Sequence, residues 1–386
     1  MRLAIPKEIL AEEERVAATP ETVKKFVALG FEVFVESSAG EGIGKSDGEY
    51  EQAGAQIVQD VEALFSQADV VLKVKQPIFN ESRGKHEVDM MREGAMLITF
   101  LHPAAPDNHD MIRMLRDRRI TALTMDGIPR ITRAQRMDAL TSMSTVTGYK
   151  SVLIAANEMP RFVPMMGTAI GTVPPAKFLI VGAGVVGLQA VATAKRLGGV
   201  VKVVDIREEA RKEAESLGAK AVGFEVPREL AAGEGGYASA LPEDWLDKER
   251  EALTPLVAEA DVVILSALVP GEIAPVLITR EMASGMKMGA VIIDVSIDQG
   301  GNCAITERGR MSYKDGLRIC GIQNIPGQLA EHASWLYAMN MYHYVENLFG
   351  KGSEAPNLDD DIVRHTLVTH QGKILYQGAL KAMGEL

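Results

Sequence analysis

Three glycines, Gly182, Gly184 and Gly187, stand in G-x-G-x-x-G spacing between a short apolar run, Phe178 to Val181, and an Ala/Val/Leu-rich segment that reaches about Leu197. A second apolar run, Val201 to Val204, ends in Asp205. Each of these residue types suits one task in holding a dinucleotide. The first glycine permits a tight strand-to-helix turn, the second lets a pyrophosphate approach the backbone, and the third lets the helix pack close on the strand. The helix N-terminus offers unpaired N–H groups and the positive end of its dipole to phosphate. Asp205 can accept hydrogen bonds from both hydroxyls of an adenosine ribose, and its charge repels a 2′-phosphate, so NAD is expected over NADP. Arg207 is the counter-argument, because an arginine there can accept that phosphate; at a helix start it is expected to point to solvent. A glycine-rich turn that binds nothing is the alternative. Strand, glycines, helix, second strand and terminal acid all agree, and together they favour the nucleotide site.

The elements that must position these residues read as alternating strands and helices. Ahead of the glycine turn, strands are expected at Leu3 to Ile5, Glu32 to Val35, Ile57 to Val58, Val70 to Val74, Met96 to Phe100 and Thr121 to Thr124. Thr19-Pro20-Glu21 starts a helix with a capping hydroxyl, a proline in the first turn and an acid toward the dipole. This pattern predicts a parallel α/β sheet. From Thr132 to about Pro160 the pattern is helical and long, and is expected to link two domains. After the glycine unit, further strands are expected at Val262 to Leu265 and Val291 to Asp294, then a long helix from Leu329 to Leu348 and a hairpin around Gln371-Gly372. The fold class is therefore α/β, with two Rossmann-like, doubly wound parallel-sheet domains and a cleft between them. The boundaries are set at residues 1–139 with 326–386, and 140–325, the C-terminal segment returning to the first domain.

Composition bounds the function. The chain has 386 residues, 47% hydrophobic and 24% charged, which is ordinary for a globular protein. A net charge of −11 argues against a nucleic-acid or anionic-membrane surface. The two cysteines, Cys303 and Cys320, have no metal-type spacing, so no metal is expected and a reducing cytoplasm is. MRLAIPKE reads as a strand start and not as a signal peptide. No uninterrupted apolar run is long enough to insert in a membrane. The remaining histidines are scattered without ligand spacing, and the 19 methionines follow core positions.

A family resemblance rests on several motifs: PKE with Arg15-Val16, RITRAQRMD from Arg130 to Asp138, Gly148-Tyr149, VPPAK ending at Lys177, SALVPG starting at Ser266, APVL from Ala274 to Leu277, and GGN ending at Asn302. Over essentially its whole length the chain resembles the NAD(H)-binding component of proton-translocating nicotinamide nucleotide transhydrogenase, whose sister family is alanine dehydrogenase. The resemblance implies that Arg130, Gln135 and Asp138 form a loop that positions the nicotinamide. Thr141 stands where that family has serine and keeps the hydroxyl. An amide and a guanidinium can hold a carboxamide and a ribose in one rotamer, as hydride transfer requires; a charged helix start on a solvated face is the bland reading of the same residues. The implied cofactor set is Gly182, Gly184 and Gly187 with their neighbours Val185 and Val186, then Asp205, Ile206 and Arg207. Ser266, Ala267 and Leu268 complete it with Tyr237, which matches a tyrosine on a mobile loop in that family.

Four residues lean toward the sister family. Alanine dehydrogenase uses an arginine, a lysine, a histidine and an aspartate around its keto acid and nicotinamide, and Arg15, Lys75, His102 and Asp298 stand at the matching positions. Reductive amination needs an acid/base group, whereas direct hydride exchange between two nicotinamides needs none. The expected function is the transhydrogenase component, a homodimer binding NAD(H). It passes hydride to or from NADP(H) held by a partner chain, and a membrane-embedded chain places it in the cytoplasm, peripheral to the inner membrane. A soluble NAD-dependent alanine dehydrogenase is the alternative, and a non-catalytic NAD-sensing protein is a second.

Overall fold

The computed structural model of the chain describes residues 1–231, 238–269, 273–350 and 355–386. It divides into two compact units, Met1–Met143 with Pro326–Leu386, and Ser144–Ile325.

The first unit is built on an eight-stranded sheet. Its order from one edge is Lys373–Ile374, Leu367–His370, Thr121–Thr124, Met96–Thr99, Val70–Leu72, Arg2–Ile5, Glu32–Glu36 and Gln56–Val58. The inner strands are parallel, while Leu367–His370 runs antiparallel to Thr121–Thr124 and to Lys373–Ile374. Inner strands such as Val70–Leu72 and Met96–Thr99 are buried throughout, as a sheet covered on both faces requires. One face packs Leu64 and Phe65, and Met111, Ile112 and Leu115, from the helices Val61–Gln67 and His109–Asp117. The helix Pro20–Ala28 begins as expected: Thr19 caps it, and the reciprocal contact comes from Thr22.

A buried ion cluster lies beside the strand Val70–Leu72. Lys73 Nζ meets Glu8 Oε2 at 3.2 Å and Glu87 Oε1 at 2.9 Å, with all three side chains nearly inaccessible. Burial alone would depress the lysine and raise the acids. The two carboxylates overcome this at Lys73 and push its pKa upward, whereas at Glu8 burial outweighs Lys73 and the carboxyl is raised.

The second unit carries a seven-stranded sheet, ordered Lys220–Ala221, Val200–Val204, Lys177–Val181, Val262–Leu265, Val291–Asp294, Leu317–Cys320 and Met311–Lys314. All neighbours are parallel except the last pair. Side chains alternate between two cores. Phe178 and Ile180 join Val201, Val203 and the helix residues Ala190, Val191 and Ala194 on one face. Leu179 and Val181 join Val263, Leu265, Leu253 and Val257 on the other. This is the period-two projection of a strand whose faces are both covered by helices.

Three features depart from the expected pattern. The helical stretch after Thr132 is broken at Asp138: a 3-10 segment, Thr132–Met137, precedes the helix Ala139–Glu158. The hairpin Met311–Lys314 with Leu317–Cys320 extends the second sheet through a two-residue turn, Asp315-Gly316, both at positive φ. That dipeptide is the strongest short hairpin signal a sequence carries. A small hairpin, Met166–Thr168 with Gly171–Val173, stands ahead of the glycine turn and is exposed throughout.

Removing the cation from the Lys73 cluster leaves two buried carboxylates facing one another. Lys73→Met is expected to cost about 3–5 kcal/mol at neutral pH. Part of this returns as the pH falls toward 5, because a carboxyl raised by burial stabilises the fold only in its protonated form. Urea unfolding at pH 5 and pH 8 measures both, and an unchanged midpoint at pH 8 would refute it.

Candidate active site

The strand Lys177–Val181 delivers the chain into the glycine turn. Gly182 takes φ of +92°, and a Cβ there would lie 2.8 Å from the carbonyl of Ser266 on the neighbouring strand end. A Cβ on Gly187 would collide with the Gly182 carbonyl, so the close helix–strand approach needs glycine at both places. A Cβ on Gly184 would meet nothing within 4 Å. Gly184 is also the N-cap of the helix Val185–Arg196 and has no capping side chain, so the first-turn N–H groups face that open side. These residues fit a dinucleotide pyrophosphate. Val185, Val186 and Ile206 are half-buried around the turn.

Asp205 ends the next strand and is buried. Its Oδ2 accepts Ala183 N at 2.7 Å and Arg207 Nη2 at 2.8 Å; its Oδ1 accepts Arg207 N at 2.8 Å and Arg207 Nε at 3.0 Å. Arg207 therefore does not point to solvent as expected; its guanidinium folds back across the carboxylate. The physical reason is charge, since a carboxylate this buried requires a partner. A second carboxyl lies near. Glu249 occupies the inward stripe of the helix Glu243–Glu259, with Leu253 and Val257. Burial first, then the Asp205 charge, push its pKa up to about 7.

Ser266, Ala267 and Leu268 follow the strand Val262–Leu265 and are half-buried. Ser266 Oγ donates to Gly182 O at 3.0 Å, tying this end to the glycine turn. Ala267 is held by the fully buried Asn302. Asn302 Oδ1 accepts Ala267 N at 3.1 Å and Ser296 Oγ at 2.6 Å, and its Nδ2 donates to Ala267 O at 2.9 Å and Pro275 O at 2.8 Å. Both lone pairs and both N–H groups are used, so only an amide of this shape fits. The GGN motif thereby acquires a function: its asparagine holds the 266–268 backbone in place. Asp294 in turn accepts Asn302 N at 3.1 Å and Cys303 N at 3.0 Å. Tyr237 lies outside the described residues.

Arg130, Gln135, Asp138 and Thr141 belong to the other unit. Asp138 sits at the break before the helix Ala139–Glu158, where Oδ1 accepts Thr141 N at 2.8 Å and Oδ2 accepts Thr141 Oγ1 at 2.6 Å. Asp138 and Thr141 thus form a helix cap. The 3-10 turn is anchored at two places: Arg133 pairs with Asp360 at 2.7 Å, and Asn340 Nδ2 donates to Arg136 O at 2.8 Å. Gln135, on this pinned turn, and Arg130, two residues ahead of the turn, are exposed.

Lys75 and His102 lie at neighbouring strand ends in the same unit. Glu8 Oε1 accepts Val74 N at 2.6 Å, Thr99 Oγ1 donates to Lys75 O at 2.9 Å, and Tyr337 OH donates to Lys73 O at 2.8 Å, so the backbone around Lys75 is held from three sides. His102 has a φ of +45°, a conformation rare outside glycine, and its ring stacks on Phe100 at 5.8 Å. Its Nδ1 lies 2.8 Å from Asp126 Oδ1, and its own N–H donates to Asp126 Oδ2 at 2.8 Å. Burial would raise the Asp126 carboxyl, but the His102 ring and N–H and the Thr124 hydroxyl outweigh it and hold the pKa at about 2. With Asp126 ionised, the short contact at Nδ1 suits an N–H donated from the His102 ring to Oδ1. Asp126 is a functional candidate missed at the sequence level; the signal was an acid closing the strand next to that of His102. Arg15 is buried in a bidentate pair with Glu13, at 2.7 Å from Nε and 2.6 Å from Nη2. Asp298 belongs to the other unit, is exposed, and accepts Gln323 Nε2 at 2.5 Å. Among the described residues, no cluster of three or more His, Cys, Asp or Glu could hold a metal, and no helix is long and apolar enough to cross a membrane.

Residues 4–147 match the family model described as alanine dehydrogenase/PNT, N-terminal domain, and residues 151–377 match its C-terminal domain. The chain is 44% identical over 379 residues to an NAD(P) transhydrogenase subunit alpha chain of Rhodospirillum rubrum, covering 97% of this chain and 98% of that one. Among solved structures, a transhydrogenase from Sinorhizobium meliloti superposes with a TM-score of 0.83 at 38% identity, over 98% of this chain and 99% of that one. An L-alanine dehydrogenase reaches the same TM-score at 28% identity, over 100% and 99%.

Glu249 gives the site a measurable signature. A carboxyl raised from 4.5 to about 7 stabilises the fold fully below 4.5 and loses that contribution as the pH rises through 7. Glu249→Gln removes the titration. Its melting temperature is expected to fall less between pH 5 and pH 8 than that of the wild type, with the variant ahead by up to about 3 kcal/mol at pH 8. Parallel melting curves across that range would show that Glu249 ionises normally.

Proposed function

The chain belongs to the alanine dehydrogenase/PNT family and is an oxidoreductase of the transhydrogenase alpha-subunit kind, and we propose that it binds NAD(H) at the Gly182–Asp205 turn and exchanges hydride with NADP(H) carried by a partner chain. The nicotinamide supplies the hydride chemistry; this chain's residues bind and orient it. First-turn N–H groups after Gly184 take the pyrophosphate, and Asp205 takes the adenosine ribose. Arg130 and Gln135 hold the carboxamide and the nicotinamide ribose, while Asp138 and Thr141 set the turn that carries Gln135. The observation that carries this reading is the geometry of that turn. It is pinned by Arg133 and Asn340 and capped by Asp138, yet it leaves Arg130 and Gln135 exposed. A pinned turn bearing exposed polar side chains suits a reaction that needs a fixed near-attack geometry and no proton.

The His102–Asp126 pair favours a second reading, an alanine dehydrogenase. A histidine held by a half-buried carboxylate is equipped to move a proton, and hydride exchange between two nicotinamides has no proton to move. Arg15 in its closed pair with Glu13, and the greater likeness to the transhydrogenase chain, weigh against it.

Two further assignments belong to the first reading. The chain sits in the cytoplasm, peripheral to the inner membrane through partner chains that couple the reaction to proton movement. It is a homodimer, and the exposed hairpin from Met166 to Val173 supports this: Ile170 is 99% exposed, with Met165 at 64% and Phe162 at 57% nearby. An apolar cluster of this kind marks an interaction surface.

The two enzyme readings separate by assay. The purified chain is expected to show no alanine-dependent NAD reduction. With an NADP(H)-binding partner chain it reduces an NAD analogue from NADPH. Gln135→Asn lowers that rate on the order of a hundredfold with NADH affinity nearly intact, and His102→Gln leaves the rate within a small factor. Robust alanine-dependent NADH formation that His102→Gln abolishes would reverse the assignment. Sedimentation equilibrium is expected to give a dimer, and Ile170→Asp a monomer; an unaltered dimer in that variant would clear the hairpin of the role.

A further inference from the structure

The geometry points to Arg207 as a specificity-determining latch: its guanidinium competes with the adenosine ribose for Asp205, and the nucleotide must displace it to bind. The inference rests on the reading of Asp205 as the ribose acceptor.

An ionised carboxylate offers about four lone-pair positions. At Asp205 protein donors fill them. Two donors are main-chain groups, Ala183 N in the glycine turn and Arg207 N at the entry to the helix Glu208–Ser216, and neither can leave without unfolding that turn. The other two are Nε and Nη2 of Arg207, one on each oxygen. A vicinal diol must donate two hydrogen bonds to the same carboxylate, so it can enter only where the guanidinium now lies. The pair is well shielded, with side-chain exposure of 16% at Arg207 and 4% at Asp205, so water weakens the competitor little.

Displacement does not send the cation far. Arg207 is two residues from Asp205, and the adjacent Arg211 is itself occupied, with Nη1 donating to Asp205 O at 2.8 Å and to Ile206 O at 3.2 Å. Tethered two residues from Asp205, the displaced guanidinium stays within reach of the ribose that Asp205 would hold. Arg207 thus acts twice. It lowers affinity for NAD(H) by holding Asp205, and it softens the rejection of NADP(H) by keeping a positive charge within reach of a 2′-phosphate. Asp205 sets the preference and Arg207 moderates it.

The test is a double-mutant cycle read by NADH and NADPH binding, followed by the fluorescence of the reduced nicotinamide. Arg207→Ala is expected to tighten NADH binding on the order of tenfold, the scale of one lost charge-assisted competitor. It is expected to weaken NADPH, so the ratio of the two dissociation constants widens. Arg207→Gln, which keeps the side-chain stem but cannot fork onto both oxygens, is expected to move in the same direction by less, and thermal melting confirms that both variants are folded. In an Asp205→Ala background the Arg207→Ala effect on NADH disappears, because the two residues act on one contact. If Asp205→Ala leaves NADH affinity unchanged, the ribose reading itself fails. If Asp205→Ala weakens NADH binding while the folded Arg207 variants bind NADH no more tightly than wild type, the latch alone is refuted.

Discussion

Where a parallel sheet stops, its last backbone N–H groups have no strand left to pair with, and in a buried turn each must find another acceptor. Both units meet that constraint in the same way. Glu8 accepts Val74 N beyond the strand Val70–Leu72, and Asp126 accepts Leu101 N and His102 N beyond Met96–Thr99. In the second unit Asp205 accepts Ala183 N and Arg207 N, and Asn302 accepts Ala267 N. Carboxylates and one amide therefore shape these strand ends, and each end carries a candidate functional residue. Ligands of open α/β sheets bind at such ends, so the groups that shape the loops are also the groups that can meet a substrate.

This double use creates an electrostatic problem with a common answer. A buried carboxylate is costly unless a cation or several donors face it. Lys73 faces Glu8 and Glu87, the His102 ring faces Asp126, and Arg207 faces Asp205. Each pairing also restrains the basic side chain, which explains how a histidine stays in left-handed backbone and an arginine folds away from solvent. At Glu249 the adjacent Arg250 offsets burial too little, and the pKa rises to about 7.

The fold does not choose between the two sister activities. A transhydrogenase and an alanine dehydrogenase superpose on the chain with the same TM-score of 0.83, while their identities are 38% and 28%. The difference lies in side chains placed on a shared scaffold. The chain keeps a histidine–aspartate pair able to handle a proton and also presents Gln135 on a pinned turn with Arg130 just ahead of it. The closed Arg15–Glu13 pair shows how little residue identity says without its neighbours, since an arginine at the matching position is here already bound through its fork.

Local pattern was enough for the glycine turn, the strands on either side of it and the acid that ends the second, because each of those depends on backbone conformation and period-two burial within a few residues. The helix cap at Thr19 and the long C-terminal helix were legible for the same reason. The break at Asp138 was not, because it depends on which competing bond its side chain makes, with the Thr141 backbone and hydroxyl. The hairpin Met311–Lys314 to Leu317–Cys320 carried its signal in Asp315-Gly316, but its first strand buries Ser312 and exposes Tyr313, the reverse of what its apolar–polar alternation suggests. What only the tertiary structure decided is pairing at long range: Asp126 beneath His102, Asn302 behind Ala267, Glu249 near Asp205. A sequence states that a charged group exists, but its energy depends on burial and on which groups the fold brings within a few ångströms, and those are properties of the packed chain. Arg207 follows from the same physics. Two residues from Asp205 it could equally have faced water, and the burial of that carboxylate turned it inward.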